Sequence, residues 1–243
     1  MSLLEAKSIN SFYGDSHILF DVSMTIGRNE VVALLGRNGA GKTTTLRALS
    51  GVVSTSSGSI SLNGKAIEGL QPYEIARLGL QLVPEERCVF TSLTVRQNLE
   101  LAAMSAPAAL PVQDVFNIFP RLKERQNHKG GELSGGEQQM VAIARAIIRD
   151  AQIILLDEPF EGLAPVIVRD LVNVCKSLAE DGRTIVIVEQ NVLLALALAD
   201  RCYVLNNGHV VFQGASAQLR DEPFVIRRYL GVGIAPDVER SGH

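Results

Sequence analysis

The stretch EVVALLGRNGAGKTT, residues 30–44, decides the fold. Its first half is apolar at consecutive positions. A strand buried on both faces needs that, and such strands belong to sheets covered by helices. Its second half is G-x-x-x-x-G-K-[ST]. Placed after a strand and before a helical pattern, this motif reads as a phosphate-binding loop. The glycines let backbone N–H groups converge on one point, and the helix start adds positive partial charge. Lys42 supplies a full positive charge to β- and γ-phosphates, and Thr43 offers a hydroxyl to Mg²⁺. The side chain of Arg37 is expected to point outward.

Similar apolar runs recur outward from this stretch. LQLV (80–83), QIILL (152–156), TIVIV (184–188) and RCYVL (201–205) read as strands. Helical patterns lie between them at 43–50, 135–149, 165–180 and 192–199. In the third of these, Val168, Leu171, Val172, Cys175 and Leu178 share a face, and Pro165 suits the first turn. The first thirty or so residues differ: LEAKSI alternates and HILFDVSMTI is rich in β-branched and aromatic residues, which fits antiparallel strands. Asn63-Gly64 and Asn207-Gly208 read as hairpin turns. From residue 91 to about 131 the strand signals stop, and TVRQNLELAAM and PVQDVFNIF read as helices of an insertion.

Composition bounds the function. The 243 residues are 47% hydrophobic and 20% charged, the profile of a packed globular chain rather than a disordered one. A net charge of −3 gives no electrostatic case for binding nucleic acid. The three cysteines, Cys88, Cys175 and Cys202, match no metal spacing and fit a reducing compartment. The N-terminus has no basic region followed by an apolar stretch, so no secretory signal is expected. The apolar run 192–199 falls far short of the ~20 residues of a membrane span. A soluble protein is expected, with any membrane role coming through a partner.

Two further stretches carry chemistry. IILLDEP (153–159) is an apolar strand ending in two carboxylates. Asp157 at the strand tip is placed to hold Mg²⁺, and Glu158 to polarise a water that attacks a γ-phosphate. In LSGGEQQ (133–139), Ser134 is a good N-cap with Glu137 three residues on, which makes a capping box. The glycines at that helix start also expose N–H groups as a second anion site.

The ordered set GRNGAGKT, LSGGEQQ, LLDEP resembles the ATP-binding subunit of ABC transporters over essentially the whole chain. The resemblance implies an α/β fold. Its P-loop NTPase core (an ABC ATPase cassette) would occupy residues 1–90 and 132–243, with an N-terminal antiparallel β subdomain and a helical subdomain at 91–131. It implies ATP and Mg²⁺ as ligands. Gly36, Arg37, Asn38, Gly39, Ala40, Gly41, Lys42, Thr43 and Thr44 would cradle the phosphates, and Tyr13 in FYGDSHIL would stack on adenine. Thr43, Asp157 and Glu85 would attend the metal. Two such subunits, alike or different, would pair head to tail. Ser134, Gly135, Gly136 and Glu137 of one would then complete the ATP site of the other. Transmembrane permease subunits, and indirectly a periplasmic or extracellular solute-binding protein, are the implied partners, with the ATPase peripheral on the cytoplasmic face of the inner or plasma membrane.

Three positions depart from the common family pattern. Glu85, in VPEE, replaces a glutamine. Ala164, in FEGLAP, replaces an aspartate. Gln190, in VEQN, replaces the switch histidine. These stretches resemble a narrower group: the smaller ATPase of branched-chain amino-acid importers and its relatives serving urea and short amides. Gln190 is then expected to bond both Glu158 and the γ-phosphate, because an amide carries both donor and acceptor. The plainer alternative is that Gln190 only leads into the next helix, with Asn191 as N-cap. Lipopolysaccharide-export ATPases, soluble ABC ATPases of DNA maintenance or translation, and nucleotide-binding switch proteins are weaker alternatives. VEQN counts against the first, a single cassette without a heptad insertion against the second, and LSGGEQQ against the third.

Overall fold

A computed structural model describes residues 2–106 and 108–231. In chain order the elements are β1 (Leu4–Tyr13), β2 (Ser16–Ile26), β3 (Val31–Leu35), α1 (Lys42–Leu49), β4 (Thr55–Leu62), β5 (Lys65–Ala66), α2 (Pro72–Arg77) and β6 (Leu80–Val83). Then follow α3 (Val95–Met104), α4 (Val112–Ile118), α5 (Pro120–Glu124), α6 (Gly135–Ile147), β7 (Ile153–Asp157), α7 (Pro165–Glu180), β8 (Thr184–Glu189), α8 (Val192–Leu198), β9 (Arg201–Asn206), β10 (His209–Ala215), α9 (Ser216–Arg220) and α10 (Pro223–Val225). The short helices α2, α5, α9 and α10 were not anticipated, since a turn or two of helix leaves little periodic signal.

Two sheets form. The strands β2-β1-β4-β5 make a four-stranded antiparallel sheet, and β10-β9-β3-β8-β7-β6 a six-stranded one. In the second, β9, β3, β8, β7 and β6 run parallel and β10 closes an edge antiparallel. Every residue of β3, β7 and β8 is buried. The pleat explains it. Val31, Ala33 and Leu35 face one core with Ile154, Leu156, Ile185 and Ile187, under α6, α7 and α8. Val32 and Leu34 face the other with Ile153, Leu155, Val186 and Val188, against α1 and the antiparallel sheet. Truncating one such residue to alanine costs about 2–5 kcal/mol.

The turn residues behave as their chemistry requires. Asn63 and Gly64 take φ of 51° and 74°, and Asn207 and Gly208 take 46° and 77°, the left-handed pair of a two-residue hairpin turn. The insertion's ends meet: Val95 N–H donates to the His128 carbonyl at 3.0 Å, and Gly130 N–H to Leu93 at 2.9 Å. Asn98, fully buried, holds the entry loop by accepting from Phe90 N–H and donating to the carbonyls of Phe90, Leu93 and Thr94. The helices of this insertion have no core of their own. Val95, Leu99, Phe116 and Leu122 join Met140 and Val141 of α6 in the core that lies on the parallel sheet.

In α7, Leu171, Cys175 and Leu178 are buried as the stripe requires, with Val168 and Val172 at its margin and Ile167 added. Its N-cap is Ala164, which has no side-chain oxygen to accept from the first turn. An aspartate or serine there supplies the missing acceptor. Ala164→Asp is therefore expected to stabilise the chain by about 1 kcal/mol, a rise of roughly 2–4 °C in thermal midpoint for a domain of this size. An unchanged midpoint in a calorimetric scan would mean that solvent already satisfies that helix end.

Candidate functional site

The carboxyl ends of four neighbouring strands meet at one edge of the parallel sheet, where ligands of such sheets bind. β3 delivers the phosphate loop, β7 the acidic pair, β8 Glu189 and Gln190, and β6 the turn with Glu85. A cleft of about 450 Å³ lies over them, lined among others by Tyr13, Lys42, Thr43, Glu85, Glu158 and Gln190.

The phosphate loop is shaped by its glycines. Gly41, the N-cap of α1, has φ of 104°, and a Cβ there would stand 2.9 Å from Leu19 Cδ2. A Cβ on Gly36 would meet the Leu205 carbonyl oxygen at 2.5 Å. Ala40 is buried and Arg37 exposed, as expected for a side chain pointing outward. Asn38, Gly39, Gly41, Lys42, Thr43 and Thr44 line the cleft, whereas Gly36, Arg37 and Ala40 do not.

Lys42 is only 5% exposed. Its ammonium donates to the Arg37 carbonyl at 3.2 Å and lies 3.8 Å from Glu158 Oε1. Burial lowers its pKa, while Glu158, Asp157 and Glu189 act the other way. Thr43 Oγ1 donates to Asp157 Oδ1 at 3.0 Å. Burial raises the pKa of Asp157 against that bond. These oxygen donors suit a hard cation such as Mg²⁺. Among the described residues no three His, Cys, Asp or Glu side chains gather to hold a metal, so phosphate and water oxygens would have to complete the shell.

Gln190 Nε2 donates to Glu158 Oε2 at 2.6 Å. The neighbouring Asn191 caps α8 by accepting from Leu194 N–H at 3.1 Å. The Glu158 half of the contact expected of Gln190 and the Asn191 cap are thus both present, on adjacent residues. Glu158 has φ of 46°, a left-handed backbone that a non-glycine residue adopts only when its surroundings impose it.

The signature stretch stands apart from this cleft. Ser134 caps α6: its Oγ accepts from Glu137 N–H at 3.3 Å and donates to Glu137 Oε2 at 2.9 Å, and its N–H donates to the same oxygen at 2.8 Å. Burial works to raise the pKa of Glu137, but the Ser134 bonds and Arg125, 3.4 Å away, hold it below the usual range. The sequence reading assigned both glycines to backbone exposure. Gly136 is instead buried, and a Cβ there would lie 2.7 Å from Ile167 Cγ2 of α7, so close helix packing already requires it.

Some residues at the site carried no motif signal. The Tyr13 hydroxyl beside Arg47 raises the Arg47 pKa. Glu161 lines the cleft, and the neighbouring Glu158 carboxylate raises its pKa. Glu189, 5% exposed, has its pKa pushed up to about 7, chiefly by burial. Its polar place at the end of an apolar strand was visible, but strands end in polar residues routinely.

Comparison with known proteins follows from this geometry. The family model described as ABC transporter matches residues 19–161. The high-affinity branched-chain amino acid transport ATP-binding protein BraG of Pseudomonas aeruginosa is 41% identical, over 94% of this chain and 100% of BraG. The probable branched-chain amino acid transport ATP-binding protein LivF of Archaeoglobus fulgidus is 36% identical over 95% and 99%. The lipopolysaccharide export system ATP-binding protein LptB of Acidithiobacillus ferridurans is 37% identical over 94% and 97%. A nucleotide-free ATP-binding cassette from an ABC transporter matches with a TM-score of 0.83 at 25% identity, over 96% of this chain and 100% of that one. A dimeric cassette in a post-hydrolysis state bound to ADP and phosphate matches with a TM-score of 0.78 at 26% identity, over 88% and 98%.

Glu189 gives this site a pH signature. Its ordinary value is 4.5 and its folded value about 7, so folding favours the protonated acid. That contribution is complete below pH 4.5 and is lost as pH rises through about 7. Relative to Glu189→Gln, which cannot ionise, the wild-type chain should lose on the order of 3 kcal/mol between pH ~4.5 and ~8. Denaturant unfolding of both chains at the two pH values checks it; a constant difference would mean that Glu189 titrates normally.

Proposed function

This chain belongs to the ABC transporter family as an ATP-binding, ATP-hydrolysing subunit, and on that premise we propose that it energises import of branched-chain amino acids or a related small polar solute. The identity to BraG supports the cargo class, together with the VEQN and EGLAP stretches. The lipopolysaccharide-export reading is second, favoured by the identity to LptB across nearly the whole chain. Reconstitution with the co-purified permease separates them. A solute-binding protein loaded with leucine should stimulate turnover several-fold, and lipopolysaccharide should not.

The hydrolytic mechanism rests on one observation, the bond from Gln190 to Glu158. Lys42 sits on the Arg37 carbonyl and near Glu158. ATP phosphates compete for that ammonium, and Lys42 moves its charge to the β- and γ-oxygens. Glu158 is then free to face water. It takes a proton as the water oxygen attacks the γ-phosphorus and the bond to the β-bridging oxygen breaks, leaving ADP and phosphate. The Gln190 amide has two N–H groups: one holds Glu158, the second is available to the γ-phosphate. Thr43, Asp157 and Glu85 would hold Mg²⁺, which would supply charge neutralisation of the phosphates. Tyr13, at the open side of the cleft, stacks on adenine. Ser134, Gly135 and Gly136 act on the nucleotide of a paired ATPase, consistent with their distance from the chain's own cleft.

The permease would dock in a second cleft of about 420 Å³, lined by Gln81, Pro84, Arg87, Phe90, Arg145 and Arg149 among others. Arg145 lies 4.7 Å over the Phe90 ring, and the Nε atoms of Arg145 and Arg149 are buried without partners. Burial lowers the pKa of both guanidinium groups. A cytoplasmic permease segment bearing a carboxylate would satisfy them. No helix among the described residues is long and apolar enough to cross a membrane, so attachment to the cytoplasmic face would run through this surface.

Glu158→Gln should retain ATP binding while turnover drops at least ~100-fold, the lower range for a general base. Gln190→Ala should lower turnover ~10-fold, since a bond to a charged group is worth roughly 1.5–3 kcal/mol. Normal turnover in Gln190→Ala would sink its role. Arg149→Glu should reduce permease recovery in co-purification at least ~10-fold, given the 2–5 kcal/mol cost of breaking a buried charge pair. Unchanged recovery from a folded variant would move the docking surface elsewhere.

A further inference from the structure

The stretch FYGDSHILF, residues 12–20, holds more aromatic rings than the stacking role of Tyr13 uses. Phe12, His17 and Phe20 stand ring on ring along one face of the β1–β2 hairpin. The centroids of Phe12 and His17 are 4.1 Å apart with planes at 10°, and those of His17 and Phe20 are 3.8 Å apart at 40°. Phe20 in turn stacks on His209 of β10, at 4.8 Å and 18°. His17 is thus clamped between two phenylalanines. Its Nε2–H donates to Asn10 Oδ1 at 3.0 Å. The Asn10 amide must face that way, because its Nδ2 donates to the Ser8 carbonyl and to Asp21 Oδ1.

A β-bulge brings these rings together. Ser11 pairs with Leu19 and Phe12 with His17, so Ile18 is one residue too many in β2. Strict alternation would set His17 and Phe20 on opposite faces. The bulge puts both on one face and leaves Ile18 and Leu19 on the other, toward the phosphate loop. Ile18 lines the cleft beside Tyr13. Leu19 is buried and lies where a Cβ on Gly41 would stand, and the Ile18 carbonyl blocks any Cβ on Gly208. Phe20 N–H donates to the Gly208 carbonyl at 2.9 Å, and Gly208 N–H to the Ala40 carbonyl at 2.9 Å. The ring stack therefore runs from the chain neighbour of Tyr13 to the turn that backs the phosphate loop. Tyr13 itself is 44% exposed, so core packing does not fix it, and its place depends on the hairpin that carries it.

We propose that His17 is a positioning residue for nucleotide binding: its ring, clamped between Phe12 and Phe20, fixes the β1–β2 hairpin so that Tyr13 meets the adenine of ATP held by the phosphate loop. The proposal rests on the role given above to Tyr13. A residue acting this way changes affinity for ATP rather than turnover of the bound complex, because Lys42, Glu158 and Gln190 are untouched.

The test is steady-state ATP hydrolysis by the full chain. His17→Ala removes both ring and bond, His17→Gln keeps a donor for Asn10, and His17→Phe keeps the ring. His17→Ala should raise KM for ATP about 5- to 10-fold with kcat within about 2-fold. His17→Phe should stay within about 2-fold of the wild-type KM, and His17→Gln should follow His17→Ala. In a Tyr13→Ala background, His17→Ala should raise KM less than about 2-fold further, because the ring it positions is already gone. A wild-type KM in folded His17→Ala or His17→Gln, equal loss in His17→Ala and His17→Phe, or a fully additive double variant would each overturn the proposal. Should His17→Ala not fold, His17→Gln carries the same comparisons. If Tyr13→Ala leaves KM unchanged, the role of Tyr13 falls and takes this proposal with it. If Tyr13→Ala raises KM and His17→Ala does not, only the role of His17 falls.

Discussion

Leu35 of β3 pairs with Glu189 of β8, and Val188 pairs with Asp157 of β7. This parallel register aligns three strand tips, and each polar group of the cleft takes its place from it. Side chains in a strand alternate with a period of two, so a slip of one residue would turn Asp157 away and expose half of each core. The register is held by burial on both faces, where Val31, Ala33 and Leu35 enter one core and Val32 and Leu34 the other. The strands are thus rigid up to their last apolar residue, and the chemistry begins immediately after it.

That edge concentrates unlike charges in a poorly solvated place. Lys42, Asp157 and Glu189 are each 5% exposed or less. Lys42 resting near Glu158 offsets part of the cost of burying both.

The polar residues around this edge divide their work between holding the backbone and facing the ligand. Asn191 caps α8, while Gln190 beside it reaches Glu158. Ser134 closes a capping box with Glu137, yet stays exposed at the surface. Gly136 is set by the approach of α7. A residue conspicuous in sequence can therefore have a packing cause and a functional one at once.

Much of the site was legible in the chain because it is encoded locally. The phosphate loop, the acidic pair and the capping box are each contiguous, and their strand or helix context follows from hydrophobic period within a few residues. The helical insertion and both hairpin turns were legible for the same reason. What tertiary structure alone decided is contact between segments far apart in the chain. Lys42 lies against Glu158, Gln190 reaches back to Glu158, and Gly136 gives way to Ile167. The helices of the insertion share the core of the sheet, rather than forming their own, through α6. Local pattern specifies which residues turn inward. Which inward residues meet depends on strand order and register, and those are fixed only when two hydrophobic faces close on one sheet.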